Sequence, residues 1–166
     1  EIAEGVSAVN SALKQVETLN NRLAGANRNS PEAAALLDER QRILDAIAEY
    51  IPVQAIERDY GKIDIMTPEG VFLLAGNART IEFTPTPAFG ASQTLASGDL
   101  SGISVDGVDI TPGASSFGAV SSGMFGALFT LRDQELTDLS DQLDTIASDL
   151  INRLSDDAID PTKTPG

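Results

Sequence analysis

Two stretches of this chain, one near each end, repeat apolar residues at alternating intervals of four and three. The first runs through Ile2, Val6, Val9, Leu13, Val16, Asn20 and Leu23; the second through Leu136, Leu139, Leu143, Ile146 and Leu150. An α-helix turns every 3.6 residues, so this spacing draws one apolar seam along each helix, at the a and d positions of a heptad. A seam of that length has to be covered by something equally long. Between the two stretches the period drops to two, the mark of strands. This order predicts an α+β chain: a bundle of three main, mostly long helices, two N-terminal and one C-terminal, with a β-rich excursion of short antiparallel strands and hairpins between them. The expected divisions are 1–52 and 122–156 for the helical bundle, 53–121 for the β-rich subdomain and 157–166 for a linker.

Local signals sharpen this outline. Ser30-Pro31-Glu32 is a helix start, with a capping hydroxyl, Pro at the first helical position and an acid at the positive end of the dipole. Pro52 ends that second helix, and the short connection makes helices one and two antiparallel neighbours. Turns are expected at Asp59-Tyr60-Gly61, at Thr67-Pro68-Glu69-Gly70 and at Gly76-Asn77. Asp106-Gly107 between Ile103, Val105, Val108 and Ile110 is a hairpin signal. Residues 84–99 read as a loop, and the Gly- and Ser-rich run 111–123 as the return path to the last helix. Asn20, on an a-type position, reads as a polar residue that sets helix register.

Composition removes several kinds of chemistry. The chain has no Cys and no His, so disulfides, thiolate metal sites, imidazole ligands and histidine-based triads are excluded. No cofactor is expected. A working carboxylate pair is formally open with 25 acids, but Asp138, Asp141 and Asp144 lie off the seam and read as a solvated face. The Val-Asp-Gly-Val-Asp run lacks the spacing of a calcium loop and is accounted for by its hairpin turn. The net charge of −14 opposes binding to nucleic acid and to anionic membranes, and predicts that the chain by itself is a monomer. The apolar runs are too short to span a bilayer. No basic and apolar leader opens the sequence, and Glu1 already lies in a helical pattern, which reads as a piece of a longer protein.

The two seams suggest each other as partners. Helix one is expected to lie along the last helix, with Val9, Leu13 and Val16 against Leu139, Leu143 and Ile146. Counting the second seam backwards places Phe125, Phe129 and Arg132 on it and leaves Asp133 on the solvated side. An arginine on a seam packs its stem and needs acceptors for its head. Asp38 or Asp45 of the second helix, or carbonyls near Pro52, could supply them.

Four segments occur in an order that resembles the flagellar hook-associated protein 1 family: 9–20, 36–53, 61–77 and 126–154. The most specific are Gly126 to Asp133, of the form G-x-L-x-x-x-R-D, Leu36-Leu37-Asp38-x-Arg40, and Leu143-Asp144. The resemblance implies a non-enzymatic structural adaptor at the junction of hook and filament. It implies export through the flagellar type III apparatus without a cleaved signal peptide, and an extracellular place on the flagellum. The implied partners are the flagellar hook protein, hook-associated protein 3 and further copies of the same protein. The terminal polymerisation helices of that family are absent here, as are the outer domains toward which 157–166 would lead. In this setting Arg132 and Asp133, with Asp38, read as a structural joint between bundle and β-rich excursion, and a subunit contact is the alternative. The rival reading of the whole chain is a secreted coiled-coil binding module or adhesin that uses the β-rich part for ligand contact.

Overall fold

A computed structural model describes residues 1–27, 29–86, 93, 95 and 98–154. Helices α1 (Ile2–Gly25) and α2 (Pro31–Tyr50) come first. Seven short strands follow: β1 (Gln54–Glu57), β2 (Ile63–Met66), β3 (Phe72–Ala75), β4 (Asn77–Ala78), β5 (Ile81–Phe83), β6 (Ile103–Val105) and β7 (Val108–Asp109). A helical rod closes the described chain. It consists of α3 (Gly123–Thr130), a π turn (Leu131–Glu135) and α4 (Leu136–Leu154). The architecture is α+β, as the change of period implied. The expected linker 157–166 and most of the loop 87–97 lie outside the described residues.

The strands form two antiparallel sheets, β1-β2-β3-β4 and β5-β6-β7. Each hairpin reflects its turn residues. Gly61 (φ 75°), Gly70 (φ 96°) and Gly76 (φ 73°) take the left-handed backbone that side-chain-bearing residues disfavour. Asp106 and Gly107, at φ 50° and 78°, join β6 to β7 with positive φ at both central positions, the geometry that matches strand twist. At the start of α2, Ser30 Oγ accepts the Ala33 N–H at 3.1 Å.

One apolar cluster holds these parts together. Val9, Leu13 and Val16 of α1 meet Ile47 and Ile51, Ile65, Leu73 and Leu74 of the first sheet, Ile81, Ile103 and Val105 of the second, and Phe125 and Phe129 of α3. A smaller cluster of Leu19, Leu23, Ala33 and Leu36 closes the far end of the α1–α2 pair. The α1 seam is therefore covered by α2, both sheets and α3.

This overturns the expected pairing of α1 with the last helix. Leu139, Leu143 and Ile146 are exposed, at 52, 58 and 64 %. Among the described residues, α4 has no substantial packing partner beyond the π turn it continues. From residue 141 to 154 every face of α4 is exposed, so this part of the rod runs past the elements that could cover it. In the π turn the Leu136 N–H donates to the Leu131 carbonyl, five residues back instead of four. One extra residue rotates the rest of the rod by about 100°. Over the first turns the buried side of α3 consequently continues through the partly buried Asp133, Thr137 and Ser140, and Leu136 and Leu139 face away.

Candidate functional site at the helix joint

Gly5 marks where three helices converge. A Cβ there would stand 2.9 Å from the Phe125 ring of α3 and 3.0 Å from the Tyr50 ring of α2, so the absence of a side chain is what lets α1 approach them. Tyr50 and Phe125 stack at a tilt, with centroids 5.7 Å apart and planes at 49°. Gly123, at φ 81°, begins α3 against the Tyr50 carbonyl; a Cβ there would lie 2.6 Å from that oxygen. The end of α2 and the start of α3 are thus locked by backbone contact, and the aim of the rod is set at this point.

Arg132 lies about two turns beyond Phe125, within the π turn. Its side chain is 11 % exposed. Nε and Nη2 donate to the two carboxylate oxygens of Asp133 at 2.6 and 2.9 Å, and Nη1 donates to the Ser101 carbonyl at 2.9 Å. The guanidinium carbon sits 4.5 Å from the centre of the Phe129 ring. Adjacent residues of a regular α-helix point about 100° apart, so a two-toothed pairing between them is unusual; here it coincides with the widened turn. Ser101 is itself tied back, its hydroxyl donating to the Thr84 carbonyl just after β5. Through one guanidinium the rod is bound to the approach to β6.

Two expectations from the sequence change here. Asp133 is not solvated: its side chain is 14 % exposed and holds both ends of the fork. Asp38 is exposed on α2 and makes no bond to Arg132; the acceptors are Asp133 and a loop carbonyl. A neighbouring carboxylate on a widened turn reaches the guanidinium without crossing the helix bundle, whereas Asp38 lies on the outward face of α2.

A second set of polar contacts runs along the buried side of α1 and was not read as such from sequence. Asn10 clamps the backbone of Ile81, donating to its carbonyl at 2.9 Å and accepting its N–H at 2.8 Å. Asn20, 2 % exposed, does the same to Ile63, at 2.8 and 3.1 Å. Between them Glu17 accepts the Ala78 N–H at 2.9 Å. The primary amide of Asn matches a peptide group, so each clamp stands in for a neighbouring strand. Asn20 does not set a helix–helix register; it satisfies the backbone of β2. Arg40 braces it, with Nη1 donating to Asn20 Oδ1 at 3.2 Å and to the Gly61 carbonyl at 2.6 Å. Burial pushes the Arg40 guanidinium below its ordinary pKa, and the Glu57 carboxylate acts in the opposite sense. An arginine nevertheless keeps its charge throughout the neutral range. The available signal was a pair of asparagines on the inner side of an otherwise apolar helix face.

At the head of the rod an apolar groove of about 280 Å³ lies between Ile2, Phe83, Leu100, Leu128, Leu131 and Leu136, with Arg132 on its wall. Among the described residues there is no cluster of three side chains suited to a metal ion, and no helix is long and apolar enough to cross a membrane.

The buried polar groups at these points are satisfied by the chain's own backbone and by one another, within a helix-based α+β module. Residues 1–157 match the family described as flagellar hook-associated protein FlgK helical domain, and the chain belongs to that family. Among solved structures it is similar to the flagellar hook junction protein FlgK from Burkholderia pseudomallei, with 22 % identity and a TM-score of 0.55 over 78 % of this chain. The chain spans 22 % of that protein's length. Among curated proteins none matches it significantly.

Proposed function

We propose that this chain is a structural adaptor of the bacterial flagellum that works at the junction between hook and filament and carries out no catalysis. The observation that supports this reading is membership of the hook-associated family over residues 1–157. Its partners in this reading are the hook protein, hook-associated protein 3 and further copies of itself. Its place is extracellular, on the flagellum, reached by type III export without a cleaved signal peptide. An adaptor has to hold shape under load, and the fold suits that role because three helices meet at Gly5 and polar clamps tie α1 to both sheets. The test is complementation of a strain lacking its own hook-associated protein 1 with the full-length gene that carries this segment. Restored filaments and swimming are expected. Normal export of the protein with filament subunits still shed into the medium would overturn the junction role.

Within that role we assign Arg132 and Asp133 to an internal joint and not to a contact between subunits. Its Nε, Nη1 and Nη2 are all taken up by Asp133 and the Ser101 carbonyl, and its side chain is only 11 % exposed. Asp38 has no part in this joint. The experiment is a pair of readings on Arg132→Ala: a denaturation curve on the chain and a swimming assay on the full-length protein. Loss of stability supports the joint; unchanged stability with impaired filament attachment would overturn it.

A further inference from the structure

We propose that the π turn between α3 and α4 is a two-position joint: Leu131–Glu135 also runs as regular α-helix, and passage between the two forms turns α4 about its axis. Two observations that disagree point to this. From Phe125 through Phe129, Arg132, Leu136, Leu139, Leu143 and Ile146 to Leu150 the sequence repeats at four and three without a break, the pattern of one uninterrupted α-helix. The backbone nevertheless places a π turn inside that repeat, where the Leu136 N–H donates to the Leu131 carbonyl. In an α-helix its acceptor would be Arg132. The π form is rare in helices, so something has to hold it here.

The holder is the Arg132–Asp133 pair. In a regular α-helix neighbouring side chains diverge by about 100°, which works against a two-toothed bond between them. In the widened turn Arg132 Nε and Nη2 reach both Asp133 oxygens, at 2.6 and 2.9 Å. The α form has a different attraction. With the π turn in place Thr137 takes a partly buried position, while Leu136 is turned outward and 46 % exposed. Seven residues of regular helix would bring Leu136 back to within about 20° of the buried Phe129, where Thr137 now lies. One form therefore gains an ion pair and the other an in-line leucine, the condition for two states close in energy. The α form is also longer by about one residue's rise, ~1.5 Å, and turned by about 100°. Pulling or twisting along the rod favours it, whatever lies against α4. This inference rests on the joint alone and stands apart from the flagellar reading.

The test follows the Leu136 amide of the 166-residue chain by NMR. Couplings across the hydrogen bond identify its acceptor: the Leu131 carbonyl in the π form, the Arg132 carbonyl in the α form. Asp133→Ala removes the ion pair and leaves Arg132 its bond to the Ser101 carbonyl. The α form should then gain about tenfold or more over the π form, the scale of one charge-assisted pair. Relaxation dispersion on the unaltered chain should show microsecond-to-millisecond exchange across residues 131–140. Deleting Gln134 should abolish it, because the shortened turn is regular α-helix with α4 in its present orientation. A Leu131 acceptor kept in Asp133→Ala with no gain of the α form would overturn the proposal. So would exchange of equal size in the deletion variant. Should Asp133→Ala fail to fold, absence of exchange in the unaltered chain would overturn it alone.

Discussion

Helices α1 and α4 carry nearly the same apolar repeat, yet one is the spine of the core and the other stands in water. Val9, Leu13 and Val16 are at most 1 % exposed; Leu139, Leu143 and Ile146 are all more than half exposed. The pattern of apolar residues is therefore a statement that a face will be covered, not a statement of what covers it. What separates the two is polar. The inner side of α1 carries Asn10, Glu17 and Asn20, each fitted to a strand backbone, so α1 is complementary to the sheets as well as apolar. The seam of α4 carries only leucine and isoleucine at the corresponding positions.

The contrast can be broken first at the core. Leu13→Ala should destabilise the chain by about 2–5 kcal/mol, the range for a fully buried leucine replaced by a cavity, read as a fall in the urea midpoint. A shift under about 0.5 kcal/mol, the size of an ordinary surface change, would mean that α1 is not the spine. Asn20→Ala comes next. It strips both partners from the buried backbone of Ile63 and one from Arg40, and should cost about 2–3 kcal/mol. The same change at the less buried Asn10 should cost less. Equal and negligible costs at both sites would show that the strand backbones find water instead.

At the joint, Arg132→Ala should cost about 2 kcal/mol, because Asp133 and the Ser101 carbonyl lose their donor within a largely covered site. Arg132→Lys should recover only part of this, since an ammonium cannot make the two-toothed bond. Full recovery with Lys would reduce the contact to simple charge. The smallest effect belongs to α4: Leu143→Asp should change stability by less than about 0.5 kcal/mol, although the identical change at Leu13 should prevent folding. A large loss at Leu143 would place the α4 seam in a core after all.

Much of the fold is legible from residues. The change of period between the helices and the strands gives the class, Ser30-Pro31 starts α2, and Asp106-Gly107 turns the last hairpin. The destination of the C-terminal seam was not: an apolar period does not say whether the rest of the described chain reaches that face, and residues 141–154 are exposed all round. Counting back from Leu136 to Phe129 presumes unbroken α-helix, whereas the π turn adds a residue that leaves no periodic trace in so short a run. For the candidate joint, the need of Arg132 for acceptors comes from its place beside Phe129, but their identity does not. Ser101 is 31 positions away and is brought near only by the path of the loop before β6. Asn20 was visible as a polar residue on a seam. That its partner is a strand depends on the sheet lying across α1, which the spacing along a helix does not encode.

Native-state hydrogen exchange on the two helices in one sample tests the central contrast most directly. Amides of α1 between Val9 and Asn20 should exchange only through opening close to global unfolding, because their side chains hold the main core together. Amides of α4 between Leu139 and Leu150 should exchange faster by several orders of magnitude, through local fraying of a helix whose seam lies in water. Comparable protection in the two helices would contradict the account.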